Sequence, residues 1–331
     1  MAPTLADLGE RKAIAAVQEI LGARGKEAAK LDDAAVVPGP SKPGAQVVAT
    51  TDTLTYQLHR LANTPLDLFG YYACAVSISD LAAMGARPRG MLIAVGLPPA
   101  TAIGDLKDLA LGFRRAADRL GFDVWGGDLK QAPHPHITTT AIGEVAKGRA
   151  LRRARGVKPG WIIGVTGFVG RAAMGARMAQ RSEPLGFELV YDLPSRVAEG
   201  RAAAATSTRI AAMDSSDGLS VTLSQLSQLN GIGFDVEASA LPVQPGLRKE
   251  MGVEEALNAA LHWGGDFELV LCAPRDVFEP LRKKFARMDT ALTPIGAAVK
   301  GAELTLIKGG ERAALPVGGF EHFKTRPAEA P

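Results

Sequence analysis

Aspartate recurs along this chain in short apolar settings. It appears in LDDAAVV from Leu31 to Val37, VVATTDTL from Val47 to Leu54 and VSISDLAAMGARP from Val76 to Pro88, then in VWGGDL from Val124 to Leu129 and AAMDSSDGL from Ala211 to Leu219. Charged side chains are rarely buried without a partner. Asp80, set between serines and a Leu-Ala-Ala-Met segment of core character, is therefore expected to face a metal, a cation or a crevice. One such stretch reads as a turn or a helix cap. Five, each at the start or end of an apolar β-like run, are expected to deliver carboxylates to strand ends, where α/β arrangements place ligand sites. Carboxylates, hydroxyls and water are the ligands that hard cations such as Mg²⁺ take. Carboxylates alone repel phosphates, so this pattern points to a polyanion site in which several Mg²⁺ ions neutralise charge and align the reacting oxygens. Arg153 is the candidate to stabilise transferred charge, and the hydroxyls of Thr50, Thr51 and Ser216 stand beside Asp52 and Asp217 as further ligands to metal or phosphate.

Other chemistries lack their residues. The nearest approach to a phosphate-binding P-loop, Gly143 to Gly148, has Arg149 and Ala150 where Lys and Ser or Thr are required. Gly164, Gly167 and Gly170 do not have dinucleotide-fold spacing, and no Gly-x-Ser-x-Gly elbow occurs. His134 and His136, flanked by prolines, read as a polar loop. Cys74 and Cys272 both lie in apolar runs, as small buried hydrophobes do in a reducing compartment. With no leader pattern and no apolar run of spanning length, the expected location is cytoplasmic, off the membrane. A net charge of +3 gives no electrostatic case for nucleic acid, and 47% hydrophobic with 22% charged residues describes a globular chain.

The elements that must hold these residues follow from periodicity. The pattern predicts a helix near Leu8 to Leu21, strands at Ala34 to Val37 and Gln46 to Thr53, and a helix ending near Met84. A strand at Met91 to Leu97, a helix from Ile103 to Leu120 stopped by Gly121, and strands at Asp123 to Trp125 and Ile137 to Val145 complete an N-terminal half with helices on one face of a sheet. A basic, glycine-bearing stretch from Lys147 to Gly160 separates it from a second α+β series, giving domains 1–148 and 149–331. In that second half GFVGRAAMG reads as a turn, and the tail from Lys324 as disordered.

In order, DDAAVV, TTDTL followed by His59, SDLAAMGARP, GGD, GRALRR, KPG before VTGFVG, MDSSDGL and GGDFEL resemble the thiamine-monophosphate kinase family from about Asp32 to Phe323. That resemblance implies a fold of two α+β domains shared with aminoimidazole ribonucleotide synthetase, and a homodimer formed through N-domain strands. It implies ATP-dependent phosphorylation of thiamine monophosphate to thiamine diphosphate. The alternatives are another ATP-using enzyme of the superfamily with a different acceptor, or a non-catalytic nucleotide-binding protein. The implied metal ligands are Asp33, Thr50, Thr51, Asp52, Asp80, Asp128, Asp214 and Asp217; the ATP contacts are Gly127, Asp128, Arg153 and Ser216. Asp217 and Arg153 carry the implied catalytic roles, and His59 and Phe320 contact the substrate. Departures from the family pattern occur at Leu31, at Tyr56 to Arg60 around His59, and at Gly265. Gly265 stands where the family has a substrate-contacting glutamate, so restoring that glutamate is expected to tighten acceptor binding. Selenophosphate synthetase and the hydrogenase-maturation protein are disfavoured, because no cysteine precedes Cys74 or follows Cys272.

Overall fold

The computed structural model describes residues 4–8, 10–25 and 40–320. Asp33, the expected strand from Ala34 to Val37 and the tail beyond Phe320 lie outside the described residues.

The N-terminal half contributes α1 (Leu5–Leu8), α2 (Glu10–Leu21), β1 (Ala45–Thr55), α3 (Tyr56–His59) and α4 (Leu66–Ala83). β2 (Arg87–Leu97), α5 (Ile103–Leu120), β3 (Asp123–Gln131) and β4 (His136–Ala146) follow. The four strands form one sheet in the order β1-β4-β2-β3, antiparallel except for the parallel β2–β3 pair. α4 lies on one face of this sheet against β1, β2 and β4, with α5 packed beside it. Fifteen of the 18 residues of α4 are buried, as expected of a helix apolar on every side. Two glycines let α4 and α5 approach closely. A Cβ at Gly70 would stand 2.4 Å from the Leu109 carbonyl oxygen, and one at Gly112 would stand 2.0 Å from that of Asp67. α5 ends at the expected residue, with Gly121 left-handed and its N–H returned to the Ala117 carbonyl.

The C-terminal half contributes β5 (Ile162–Thr166), α6 (Arg171–Gln180), α7 (Pro184–Tyr191), α8 (Val197–Thr206), β6 (Ala211–Asp214) and α9 (Leu219–Asn230). Then come β7 (Gly233–Glu237), α10 (Leu247–Met251), α11 (Val253–His262), β8 (Leu269–Ala273), α12 (Arg275–Ala286), β9 (Leu292–Val299), β10 (Leu304–Lys308) and β11 (Glu311–Ala314). Its seven strands run β11-β10-β7-β9-β5-β8-β6, with β7–β10 the parallel pair. α4 also touches α7, α8 and β6, so one apolar core reaches from Leu54 and Leu81 to Ala203, Leu271 and Phe278. The mixed helix-and-sheet class is the expected one.

Three local expectations are corrected. The stretch read as a turn at GFVGRAAMG opens α6, and α7 and α8 follow before β6. The alanine-rich sequences of α6 and α8 favour helix by propensity while giving little amphipathic contrast, and α7 opens on Pro184. The aspartates do not all stand at strand ends: Asp80 is in the last turn of α4, Asp52 and Asp128 lie within β1 and β3, and Asp214 alone of these ends a strand. The alternation of Phe267, Glu268 and Leu269 reads as the start of a strand running to Cys272, but β8 starts at Leu269 and positive φ angles at Gly265 (99°) and Phe267 (53°) keep GGDFE a loop.

Candidate active site

α4 carries Ser77, Ser79 and Asp80 into the gap between the two sheets, and this collects the carboxylates. Each of three aspartates, from three different elements, accepts one hydroxyl. Ser77 Oγ donates to Asp52 Oδ2 at 3.0 Å, Thr50 Oγ1 to Asp80 Oδ2 at 2.6 Å, and Ser79 Oγ to Asp214 Oδ2 at 2.7 Å. Thr50 and Asp52 share the α4-facing side of β1 by strand alternation. Thr51 takes the other side, where its hydroxyl meets the Thr139 carbonyl and the Thr140 hydroxyl, so its side chain stays outside the cluster.

The electrostatics record crowded negative charge. Burial, then the charges of Asp80 and Asp217, push the Asp52 carboxyl up against the opposing Ser77 hydrogen bond. Burial also raises Asp80, with Thr50 and the Arg153 charge pulling it back. Asp214, buried and facing Asp80 and Asp52, is pushed up to about 7. Carboxylates displaced this way are stabilised by cations. Among the described residues no three acidic, histidine or cysteine side chains converge on one point. The donor set therefore fits hard cations held by one or two carboxylates each and completed by phosphate and water, as Mg²⁺ prefers, over a single all-protein cage.

The remaining candidates divide. Arg153 is exposed, donates to Gln225 Oε1 at 3.0 Å, and its charge reaches Asp80 and Asp214. Asp217 lies in the turn after β6, its charge felt at Asp52. Its carbonyl accepts the Phe320 N–H at 3.1 Å, and the Ser216 carbonyl accepts the Gly265 N–H at 2.7 Å. His59 and Phe320, far apart in the chain, stand with ring centroids 6.3 Å apart. Tyr191 fixes the His59 segment, donating to the His59 carbonyl at 3.0 Å and accepting the Leu61 N–H at 2.6 Å.

Asp128 is not brought to the cluster within one chain. The row Asp52, Thr139, Ile93, Gly127 faces α4, whereas Thr53, Thr138, Ala94 and Asp128 share the opposite, open face. β1 and β3 are the two edges of that sheet, about 14 Å apart at roughly 4.8 Å per strand. Asp128 is half exposed and paired with Lys130 at 3.1 Å. Gly127 has a packing reason of its own, because a Cβ there would strike the Ile93 carbonyl oxygen at 1.8 Å.

Residues 31–145 match the AIR synthase related protein, N-terminal domain family. The chain is 32% identical to the thiamine-monophosphate kinase of Methanospirillum hungatei JF-1 over 295 residues, 88% of this chain and 92% of that one. The chain belongs to the thiamine-monophosphate kinase family. The crystal structure of the Stenotrophomonas maltophilia K279a member superposes with a TM-score of 0.78 at 31% identity, covering 90% of this chain and 97% of that one. A structure described as AaThiL complexed with AMPPCP and TMP, 23% identical, covers 98% and 100% with a TM-score of 0.74, which establishes the fold.

Within the thiamine-monophosphate kinase pattern, the departure at 265 is not made good by its neighbours. Asp266 is buried and accepts the N–H groups of Gly170 at 2.6 Å and Ala172 at 2.9 Å, at the start of α6. Burial pushes its carboxyl up to about 6 against those two bonds. Glu268 is also buried and accepts both Arg196 Nε at 2.6 Å and Nη2 at 2.7 Å, together with the Thr166 hydroxyl. Both are committed to the scaffold. Sequence reasoning noticed the serines around Asp80 but gave Ser77 and Ser79 no role; their signal was the i, i+2 placement beside an aspartate in a helix otherwise apolar.

Proposed function

We propose that this protein transfers the γ-phosphoryl group of ATP to thiamine monophosphate, giving thiamine diphosphate. The observation that carries the reading is the junction of three hydroxyl-tethered carboxylates, Asp52, Asp80 and Asp214, with Asp217 linking them through Phe320 to His59. Asp52, Asp80, Asp214 and Asp217, with Thr50 and, as the resemblance implies, Asp33, would hold Mg²⁺, whereas the Thr51 side chain is turned to the opposite face of β1. Bound there, Mg²⁺ supplies charge neutralisation between donor and acceptor phosphates. The Thr50, Ser77 and Ser79 hydroxyls fix the carboxylate orientations in advance. Arg153 adds positive charge on the Asp80 and Asp214 side, with Ser216 and Gly127 as ATP contacts. His59 and Phe320 orient the acceptor's rings. The acceptor is a phosphate, ionised at neutral pH, so positioning and electrostatics can supply the acceleration without a strong general base.

The placement of Asp128 supports a homodimer in which Asp128 completes the partner's site. The open face bearing Thr51, Thr53, Thr138 and Asp128, together with exposed Val47, is the face such a dimer would cover. The division at 148/149 keeps one sheet in each domain. No described helix is long and apolar enough to cross a membrane, and two buried free cysteines suit a reducing, cytoplasmic setting. A different acceptor is the second reading, favoured by the absence of a side chain at Gly265. ADP release measured in parallel with thiamine monophosphate, thiamine and aminoimidazole precursors decides between them: release with thiamine monophosphate alone supports the first, release only with another acceptor the second.

A further inference from the structure

Arg171 opens α6 and carries its charge into the interior. Its Nη1 donates to the Asp192 carbonyl at 3.4 Å, whereas Nε and Nη2, both shielded from solvent, have no hydrogen-bond partner among the described residues. These two atoms form one edge of the guanidinium, the fork that takes two oxygens of a carboxylate or phosphate side by side. The neighbouring carboxylates are already engaged. Asp266 holds the Gly170 and Ala172 N–H groups, and Glu268 holds Arg196 and Thr166.

The surroundings put this fork beside the acceptor end of the site. A Cβ built at Gly265 would press on the Ala172 Cβ at 3.1 Å but meet no other non-adjacent atom within 4 Å, so beyond the residue next to Arg171 the space at Gly265 is unfilled. Gly265 is bonded to Ser216, whose neighbour Asp217 is bonded to Phe320. From the other side, the Tyr72 ring meets Phe267 edge-on at 5.9 Å. Tyr72 feels the charges of Arg171, Asp52 and Asp217 together. Arg153 serves the Asp80 and Asp214 side, whereas Arg171 acts beside Asp266, Glu268 and Asp192, with Tyr72 as the residue that feels both Arg171 and Asp217.

We propose that Arg171 is an acceptor-binding residue whose Nε/Nη2 fork takes the acceptor's phosphate oxygens, turning into the space that Gly265 leaves open. The inference rests on the reading of this protein as a kinase with a phosphate-bearing acceptor. A phosphate approaching four carboxylates needs a cation on its own flank, and arginine keeps its proton while supplying one.

The test compares thiamine monophosphate with thiamine as probes, by calorimetry with Mg²⁺ and a non-hydrolysable ATP analogue present. Wild type, Arg171→Gln and Arg171→Lys are measured; lysine keeps the charge and loses the fork. Wild type is expected to prefer the phosphorylated probe. Both variants are expected to bind thiamine monophosphate roughly ten- to a hundredfold more weakly, with thiamine and the ATP analogue unaffected. The analogue confirms that each variant is folded. A variant that binds the analogue normally and keeps the wild-type preference overturns the proposal. Thiamine diphosphate formation by wild type is followed in the same preparation; its absence removes the proposed reaction, while the two-probe comparison still decides the role of Arg171.

Discussion

Ser79 on α4 donates its hydroxyl hydrogen to Asp214 on β6 at 2.7 Å, across 135 residues of chain. This one bond joins the helix that floors the N-terminal sheet to the edge strand of the C-terminal sheet. It also opposes the burial that drives Asp214 toward its neutral form.

The first prediction concerns pH. Asp214 moves from 3.8 up to about 7 in the folded, metal-free protein, which therefore binds this proton more tightly than the unfolded chain does. Its contribution to stability is present at low pH and is lost as pH rises from 3.8 through about 7. Thermal melts in chelator should show lower stability at about pH 8 than at about pH 5. Asp214→Asn should remove much of that difference, and Mg²⁺ should raise the melting temperature most at the higher pH. Equal melting of wild type and Asp214→Asn across the range would count against the crowded-carboxylate account.

The second concerns Asp128. If it serves the partner's site, Asp128→Asn and Asp80→Asn should each be inactive alone, yet mixed and re-associated they should recover about a quarter of wild-type activity, from one intact site in each heterodimer. Recovery of nothing, from a mixture shown to exchange subunits, would place both aspartates in the same chain's site.

The third concerns Gly265. Its φ of 99° is one that side chains rarely adopt, and Ala172 stands in the way of a Cβ. Gly265→Ala should cost about 1 to 3 kcal/mol in urea unfolding. The expectation that a restored glutamate simply tightens acceptor binding meets this strain, so Gly265→Glu should lose stability whatever it does to KM. A variant as stable as wild type would show that the loop relaxes freely.

A fourth follows from the buried Arg196–Glu268 fork. Arg196→Ala strands a buried carboxylate and should cost about 3 to 5 kcal/mol, whereas the double variant Arg196→Met with Glu268→Gln should cost less. Denaturant unfolding of both variants checks the order.

The sequence made some of this legible and hid the rest for identifiable reasons. α5 was readable to the residue because its apolar stripe and Gly121 cap are local signals. The acidic set was readable by type, and Asp52, Asp80 and Asp214 do meet hydroxyls at a common junction. That Asp128 and Thr51 face away from Asp52 depends on strand register, which no local pattern supplies. Asp266 and Glu268, the acidic residues nearest Gly265 in sequence, are the obvious side chains to replace the missing glutamate. Their scaffold partners, Gly170, Ala172 and Arg196, are contributed by segments far away in sequence, one of them leading into a helix that read as a turn.

Transfer of labelled phosphate tests the central claim most directly. With γ-labelled ATP, Mg²⁺ and thiamine monophosphate, the account predicts label in thiamine diphosphate in step with ADP, and none with Asp80→Asn. ADP release without labelled thiamine diphosphate, or undiminished transfer by Asp80→Asn, would contradict it.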